Sequence, residues 1–370
     1  MTLVTAAGSG FKLLLRRSPQ VGRGLATSVD ASDVDKARKY CLNQLRQGDY
    51  EAYLIRHFIP SSARDAYDAL RTLNLELARL PEAVSNPTIG RFRMQFWRDT
   101  ISSIFAGNPP REPISILLHS AITNLAARAG ASSTSSIKFW LLRFISTREK
   151  HIENRPFASL AALEDYAENT YATLMYMTLA VMPMRSMHMD HLASHIGKAY
   201  GIAATLRGIP ILAVPSQPIQ GPSGSNVGNT RSPTLLLPLD VMAEVGLKEE
   251  DVFRRGPNAE GLQDAVFQVA TRANDHLITA REMLKKLQAG QEPGHEYEHV
   301  GEREHAYHGL LQGDEDTTSN VKRGFGVLLE AIAARDYLQR LESANFDPFT
   351  VKNSWKLPWG LWRSLKRHEI

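Results

Sequence analysis

Residues 190–207 read DHLASHIGKAYGIAATLR. Ile196, Ala199 and Ala203 recur there at helical spacing, and Asp190 stands where a capping side chain is wanted. Helical patterns extend outward on both sides. Upstream they cover 113–129, 136–152 and 160–182; downstream they cover 238–246, 259–288 and 321–343. Nearer the start, Ser32-Asp33-Val34-Asp35 opens a helix with Val34, Ala37, Cys41 and Leu45 on one face, and Gly48 stops it. A second runs from Pro60-Ser61-Ser62 to Pro81 with Ala63, Ala66, Leu70, Leu73 and Leu77 inward. A third runs from Ile89 to Phe105, ended by Gly107-Asn108-Pro109-Pro110. Leu235–Leu237 is the one strand-like run, and no βαβ rhythm exists. The expected fold is all-α, a single helical domain over about residues 33–360 around one core.

Two polar insertions interrupt it. Residues 214–233 are rich in Pro, Gly, Ser and Asn, and residues 289–320 cluster Glu, His, Gly and Asp. Neither offers apolar surface to repay the entropy of ordering it.

Composition excludes several classes. The 370 residues carry 43 basic and 39 acidic side chains, are 43% hydrophobic and hold one cysteine. A lone Cys41 excludes an internal disulfide framework and multi-cysteine metal sites, and its place on an apolar stripe marks it as packing. The most apolar run, Leu174–Met184, is too short to span a bilayer and contains Thr178 and Pro183. Residues 1–29 hold Lys12, Arg16, Arg17, Arg23 and no acid; without those four cations the chain has 39 charges of each sign. A neutral body lacks the field of a general nucleic-acid binder, so no nucleic-acid partner is expected. The Ser-, Ala- and Arg-rich leader has the composition of a mitochondrial transit peptide, and Lys12 and Arg16 break any secretory apolar core.

The sharpest motif is His295-Glu296-Tyr297-Glu298-His299 with His305 beyond it, matching the zinc pattern H-E-x-x-H. Its context is wrong. Pro293-Gly294 precede it directly, no apolar face would dock it, and Glu302 stands where a glycine is wanted. Glu164 and Glu168, four apart, and Asp65 and Asp68, three apart, are candidate magnesium pairs, but with no second acidic cluster in view they read as solvated faces. His188, His191 and His195 fall within one helical stretch and read as part-buried histidines with backbone partners rather than ligands. Near the C-terminus, Trp355, Trp359 and Trp362 sit among Lys356, Arg363, Lys366 and Arg367. That mixture suits a bilayer interface, and equally a last helix packed on the domain with a basic outer face.

Several segments together resemble the squalene/phytoene synthase family over roughly residues 38–360. They are Tyr40-Cys41, the helix from Pro60 to Leu77, Arg93-Met94-Gln95-Phe96-Trp97-Arg98, Asp165-Tyr166-Ala167-Glu168-Asn169, His195 to Ile202, and Leu236-Leu237-Pro238-Leu239-Asp240. The resemblance implies the isoprenoid synthase type of helical domain. It also implies two aspartate-rich segments on facing helices that hold Mg²⁺ against a departing diphosphate. The first is expected near Ala78-Arg79-Leu80-Pro81-Glu82, where only Glu82 is acidic. The second is expected after Gly201 to Leu206, where the chain continues Arg207-Gly208-Ile209-Pro210-Ile211-Leu212-Ala213-Val214-Pro215 without an acid.

Residues 88–97, 166–169, 194–199 and Asn345-Phe346-Asp347-Pro348-Phe349 resemble one branch of that family, the mitochondrial complex I assembly factors. The resemblance then implies a pseudo-enzyme with no catalytic, cofactor-binding or metal-ligating residue and no cofactor. It implies work on an early membrane-arm subunit of complex I, peripheral contact with the matrix side of the inner membrane, and a vestigial cavity open to a lipid or apolar ligand. The alternative is an active Mg²⁺-dependent prenyl synthase drawing on Glu76, Glu82, Glu164 and Glu168.

Overall fold

The computed structural model describes residues 30–84, 86–182, 184, 186–214, 219–220, 226–227, 232–292 and 317–370. The leader, the H-E-x-x-H segment and most of the 214–233 insertion lie outside these. Among the described residues the fold is all-α apart from a hairpin of two short strands, β1 (Ile219–Gln220) and β2 (Asn226–Val227). The helices are α1 (Ala31–Gly48), α2 (Tyr50–Ile55), α3 (Ser61–Ala83), α4 (Pro87–Phe105), α5 (Pro113–Ala129), α6 (Ser135–Lys150), α7 (Leu160–Ala167) and α8 (Thr173–Val181). They continue as α9 (Met187–Leu212), α10 (Leu239–Glu244), α11 (Glu249–Arg255), α12 (Leu262–Gln288), α13 (Thr317–Leu328), α14 (Glu330–Ser343) and α15 (Leu357–Arg367).

The centre of the domain is α9. Its buried residues are spread around the whole circumference rather than along one stripe, and α7, α8, α12, α13 and α14 pack around it. On the other side of the core, α1, α3 and α5 pack together. Ala37, Cys41 and Leu45 of α1 are buried, and burial pushes the Cys41 thiol up to about 12, which leaves it inert.

Local chemistry explains the boundaries. Asp30, rather than Ser32, caps α1 by accepting from Asp33 N at 2.7 Å. Ser186, rather than Asp190, caps α9, and Asp190 lies buried in the first turn. Pro81 does not end α3, which runs on to Ala83. Leu235 and Leu237 are buried in irregular chain and form no strand. The pattern read as one helix over 160–182 is broken by a π-turn at Glu168–Ala172 between α7 and α8. Thr173 Oγ1 bonds Glu168 O at 3.0 Å across that turn. Tyr171 lies within this turn and lines the cavity described next, and such bulges are frequent at functional sites.

Candidate functional site

α3 and α9 face each other across a cavity of about 810 Å³, a size suited to a small molecule or lipid segment. Arg71, Asn74, Leu75 and Ala78 reach it from α3, and Tyr200, Ala204, Arg207 and Ile211 from α9. On both helices these positions recur every three or four residues, which sets one face toward the space. Asp49, Tyr50 and Glu51 at the α1–α2 junction, Tyr171, Tyr337 and Arg340 of α14, and the segment from Pro348 to Leu357 supply the other walls.

A buried charge network crosses this wall. Arg71, 1% exposed, donates to Glu330 at 3.1 Å and to Asp49 at 3.0 Å. Tyr200 donates its hydroxyl proton to Glu51 at 2.7 Å, and Arg207 reaches Glu51 at 2.8 Å. Asp49 serves twice, since its Oδ1 also caps α2 through Ala52 N at 3.0 Å. Behind Asn74 sits a further guanidinium. Arg148 is buried, donates to Asn74 Oδ1 and the Tyr166 hydroxyl, and faces the rings of Phe144, Tyr166 and Tyr171. Burial pushes Glu330 up to about 7 while Arg71 pulls the other way. Burial works against the charge on Arg71, but Glu330 and Asp49 outweigh it and its pKa rises. The arginines therefore remain cations.

The cavity-facing part of α3 is 71–78, several residues earlier than the segment expected at 78–82; only Ala78 of that segment lines the space, and Glu82 is exposed. The α9 side falls where expected, and presents Arg207, Pro210 and Ile211. Of the alternative magnesium ligands, Glu76, Glu82, Glu164 and Glu168, none lines the cavity. Glu76 lies beside Tyr40 and Glu112. Glu164 binds Arg272 at 2.7 Å and His276; burial pushes its pKa up, but those two hydrogen bonds overcome this and hold it below the usual range.

The acidic pairs are not solvated faces. Glu168 is buried and accepts from Tyr176 and from Ser194 at 2.6 Å. Asp68 is fully buried on Arg56 at 2.8 Å, and Asp65 pairs with Arg38 at 2.8 Å. Each acid sits on a partner from another element, so helical spacing alone misplaces it. Nor do the histidines use backbone partners alone. Nδ1 of His195 lies 3.0 Å from Nδ1 of His276, and His276 Nε2 faces Glu164. If Nε2 donates to Glu164, His276 Nδ1 is the acceptor for His195. This chain of contacts ties α7, α9 and α12 together. Among the described residues no group of three His, Cys, Asp or Glu side chains could hold a metal ion.

The site does not fit magnesium. That ion wants carboxylate oxygens and water. The acids lining the cavity, Asp49 and Glu51, are both held by arginines, and Arg71 and Arg207 set the wrong sign of charge for a divalent cation. Asp49, Glu51, Arg71, Arg148 and Glu330 were not legible as a site. One signal existed: Arg71 lies directly beside the apolar stripe of Leu70, Leu73 and Leu77, on a row with Tyr67, Asn74 and Ala78.

An all-helical domain with a cavity between facing helices is the frame of a prenyl synthase, and this chain belongs to the squalene/phytoene synthase family, whose signature matches residues 45–363. A crystallised dehydrosqualene synthase shares the fold at a TM-score of 0.60, covering 91% of this chain and 98% of that one with 13% identity. Within the family the chain resembles proteins described as "NADH dehydrogenase (ubiquinone) complex I, assembly factor 6". It is 31% identical to that of Rattus norvegicus over 90% of this chain and 83% of the relative. It is 32% identical to that of Bos taurus over 90% and 80%.

Proposed function

We propose that this protein is a non-catalytic assembly factor for mitochondrial respiratory complex I, a pseudo-enzyme of the prenyl synthase fold. The observation that carries the reading is the exchange of metal-binding carboxylates for fixed guanidinium charge, with Asn74 and Ala78 opposite Ala204 and Arg207. The similarity to relatives described as complex I assembly factors supports it. On this reading residues 1–29 are a transit peptide and the protein works on the matrix side of the inner membrane, as a peripheral protein. No described helix is long and apolar enough to cross a membrane. The client is an early membrane-arm subunit. Disruption of the gene should remove assembled complex I from native gels and leave the other respiratory complexes in place; normal complex I would overturn the reading. An active prenyl synthase is the rival, and it alone predicts Mg²⁺-dependent pyrophosphate release from farnesyl diphosphate by the purified protein.

The cavity is proposed to hold a lipid or other apolar ligand, since Leu75, Ile211, Phe349 and Leu357 line it beside the arginines. Native mass spectrometry of the purified protein should show a non-covalent lipid adduct. A bare chain mass after gentle purification from mitochondria would end that proposal.

A further inference from the structure

The chain has five tryptophans. Trp97 and Trp140 lie in the core, whereas Trp355, Trp359 and Trp362 are 76%, 67% and 50% exposed. Trp359 and Trp362, three apart, share one face of α15, and Trp355, just before the helix, lines the same cleft as Trp359. The opposite face of α15 turns Leu357, Leu361 and Ser364 onto the domain. The helix is thus already docked, and its tryptophans point away from what it docks on. The tail therefore packs on the domain and leaves its aromatic face outward. Trp359 and Trp362 meet edge to face at 6.1 Å, and the Lys356 ammonium lies 5.8 Å from the Trp355 ring centre.

Cations flank these tryptophans. Lys352, Lys356, Arg363, Lys366 and Arg367 are exposed, and no acid occurs between Pro348 and His368. A cleft of about 350 Å³ between α14 and α15 is lined by Arg335, Lys356 and Arg363 with Trp355 and Trp359. The acid on its wall, Asp336, is engaged by Arg340 at 2.9 Å and Ser354 at 2.8 Å. What the face offers a partner is therefore indole surface and positive charge. Tryptophan and arginine are common at protein and membrane interfaces alike, but lysine is depleted at the former, and Lys352, Lys356 and Lys366 therefore favour a bilayer surface.

We propose that the Trp355–Trp359–Trp362 face docks on an anionic bilayer surface, with its indoles among the headgroups and its cations on lipid phosphates. The inference rests on the reading of a peripheral membrane protein and names the surface responsible.

Sedimentation of the full chain with phosphatidylcholine vesicles, with and without phosphatidylglycerol, tests this. Binding is expected only with the anionic lipid, and added salt should weaken it. Trp355→Ala/Trp359→Ala/Trp362→Ala changes exposed side chains and should abolish recovery with vesicles while the circular dichroism spectrum stays the same. Lys356→Glu/Arg363→Glu/Lys366→Glu should lower affinity by about a hundredfold or more, since each surface cation contributes about fivefold. Equal binding to both kinds of vesicle, no binding to either, or binding untouched by both variants overturns the proposal; the last two would leave the tryptophans to a protein partner. The readout does not involve complex I, so a chain that binds vesicles yet proves dispensable for complex I would sink the assembly role and leave this surface standing.

Discussion

Arg71→Met should destabilise the protein by about 3–5 kcal/mol, the cost of breaking a buried ion pair by removing one partner. Methionine keeps much of the volume, so the loss reports charge rather than a cavity. Asp49, at 15% side-chain exposure, can recover water, but Glu330, at 2%, cannot. Its escape is to take a proton, and that gives the prediction a pH signature. In the wild type Glu330 is already pushed from an ordinary 4.5 up to about 7 by burial, with Asp49 and Glu51 adding to the push and Arg71 opposing it. Between those values the folded protein holds a proton that the unfolded chain has released. This contribution is fully present below 4.5 and lost as pH rises through about 7. Without Arg71 the folded value climbs further, so the decline continues to higher pH. Urea unfolding of both proteins at about pH 5 and about pH 8 should show the larger deficit at the higher pH. A deficit independent of pH, or one under about 1 kcal/mol, would mean that Glu330 is not the group Arg71 holds.

The same network shows what a sequence conveys and what it does not. The long helices were legible because an apolar stripe every three or four residues, as at Ala37, Cys41 and Leu45, has one physical solution. α2 and α11 were not, for six or seven residues hardly establish a period; α10 is as short, but Pro238-Leu239-Asp240 marks its start. The loss of acid on α9 could be read directly from Arg207 onward. On α3 the expectation slipped toward the helix end, because every turn of a long amphipathic helix looks alike until its neighbour is known. Helical spacing alone turns Asp68 and Glu168 toward solvent, whereas each is buried on a partner. Arg71 and Glu330 are 259 residues apart, a separation over which no local pattern carries information. The π-turn left no trace in composition, yet Tyr171 lines the cavity from within it.

That turn is also the subject of the second large effect. Gly197→Ala should cost about 3 kcal/mol or more. A Cβ on Gly197 would lie 2.3 Å from Cα of Ala172 and 2.5 Å from its backbone N, closer than carbon atoms approach. Overpacking a core against movable side chains costs about 1–3 kcal/mol, and here the obstacle is main chain, which cannot rotate aside. α9 and the π-turn would have to separate. Gly208 of the same helix is the control. A Cβ there meets only Leu212 Cδ1 at 3.5 Å, an ordinary contact, so Gly208→Ala should be neutral or stabilising by up to about 1 kcal/mol through helix propensity. Ala172→Gly placed on top of Gly197→Ala should restore only part of the loss, because Cα and N of residue 172 remain in the way. Separation of these elements displaces Tyr171, so a Gly197→Ala protein that still folds should also lose any ligand held in the cavity. Thermal unfolding of the three variants decides the matter: equal stability of Gly197→Ala and Gly208→Ala would show that α9 and the π-turn are not in the close contact that shapes the cavity floor.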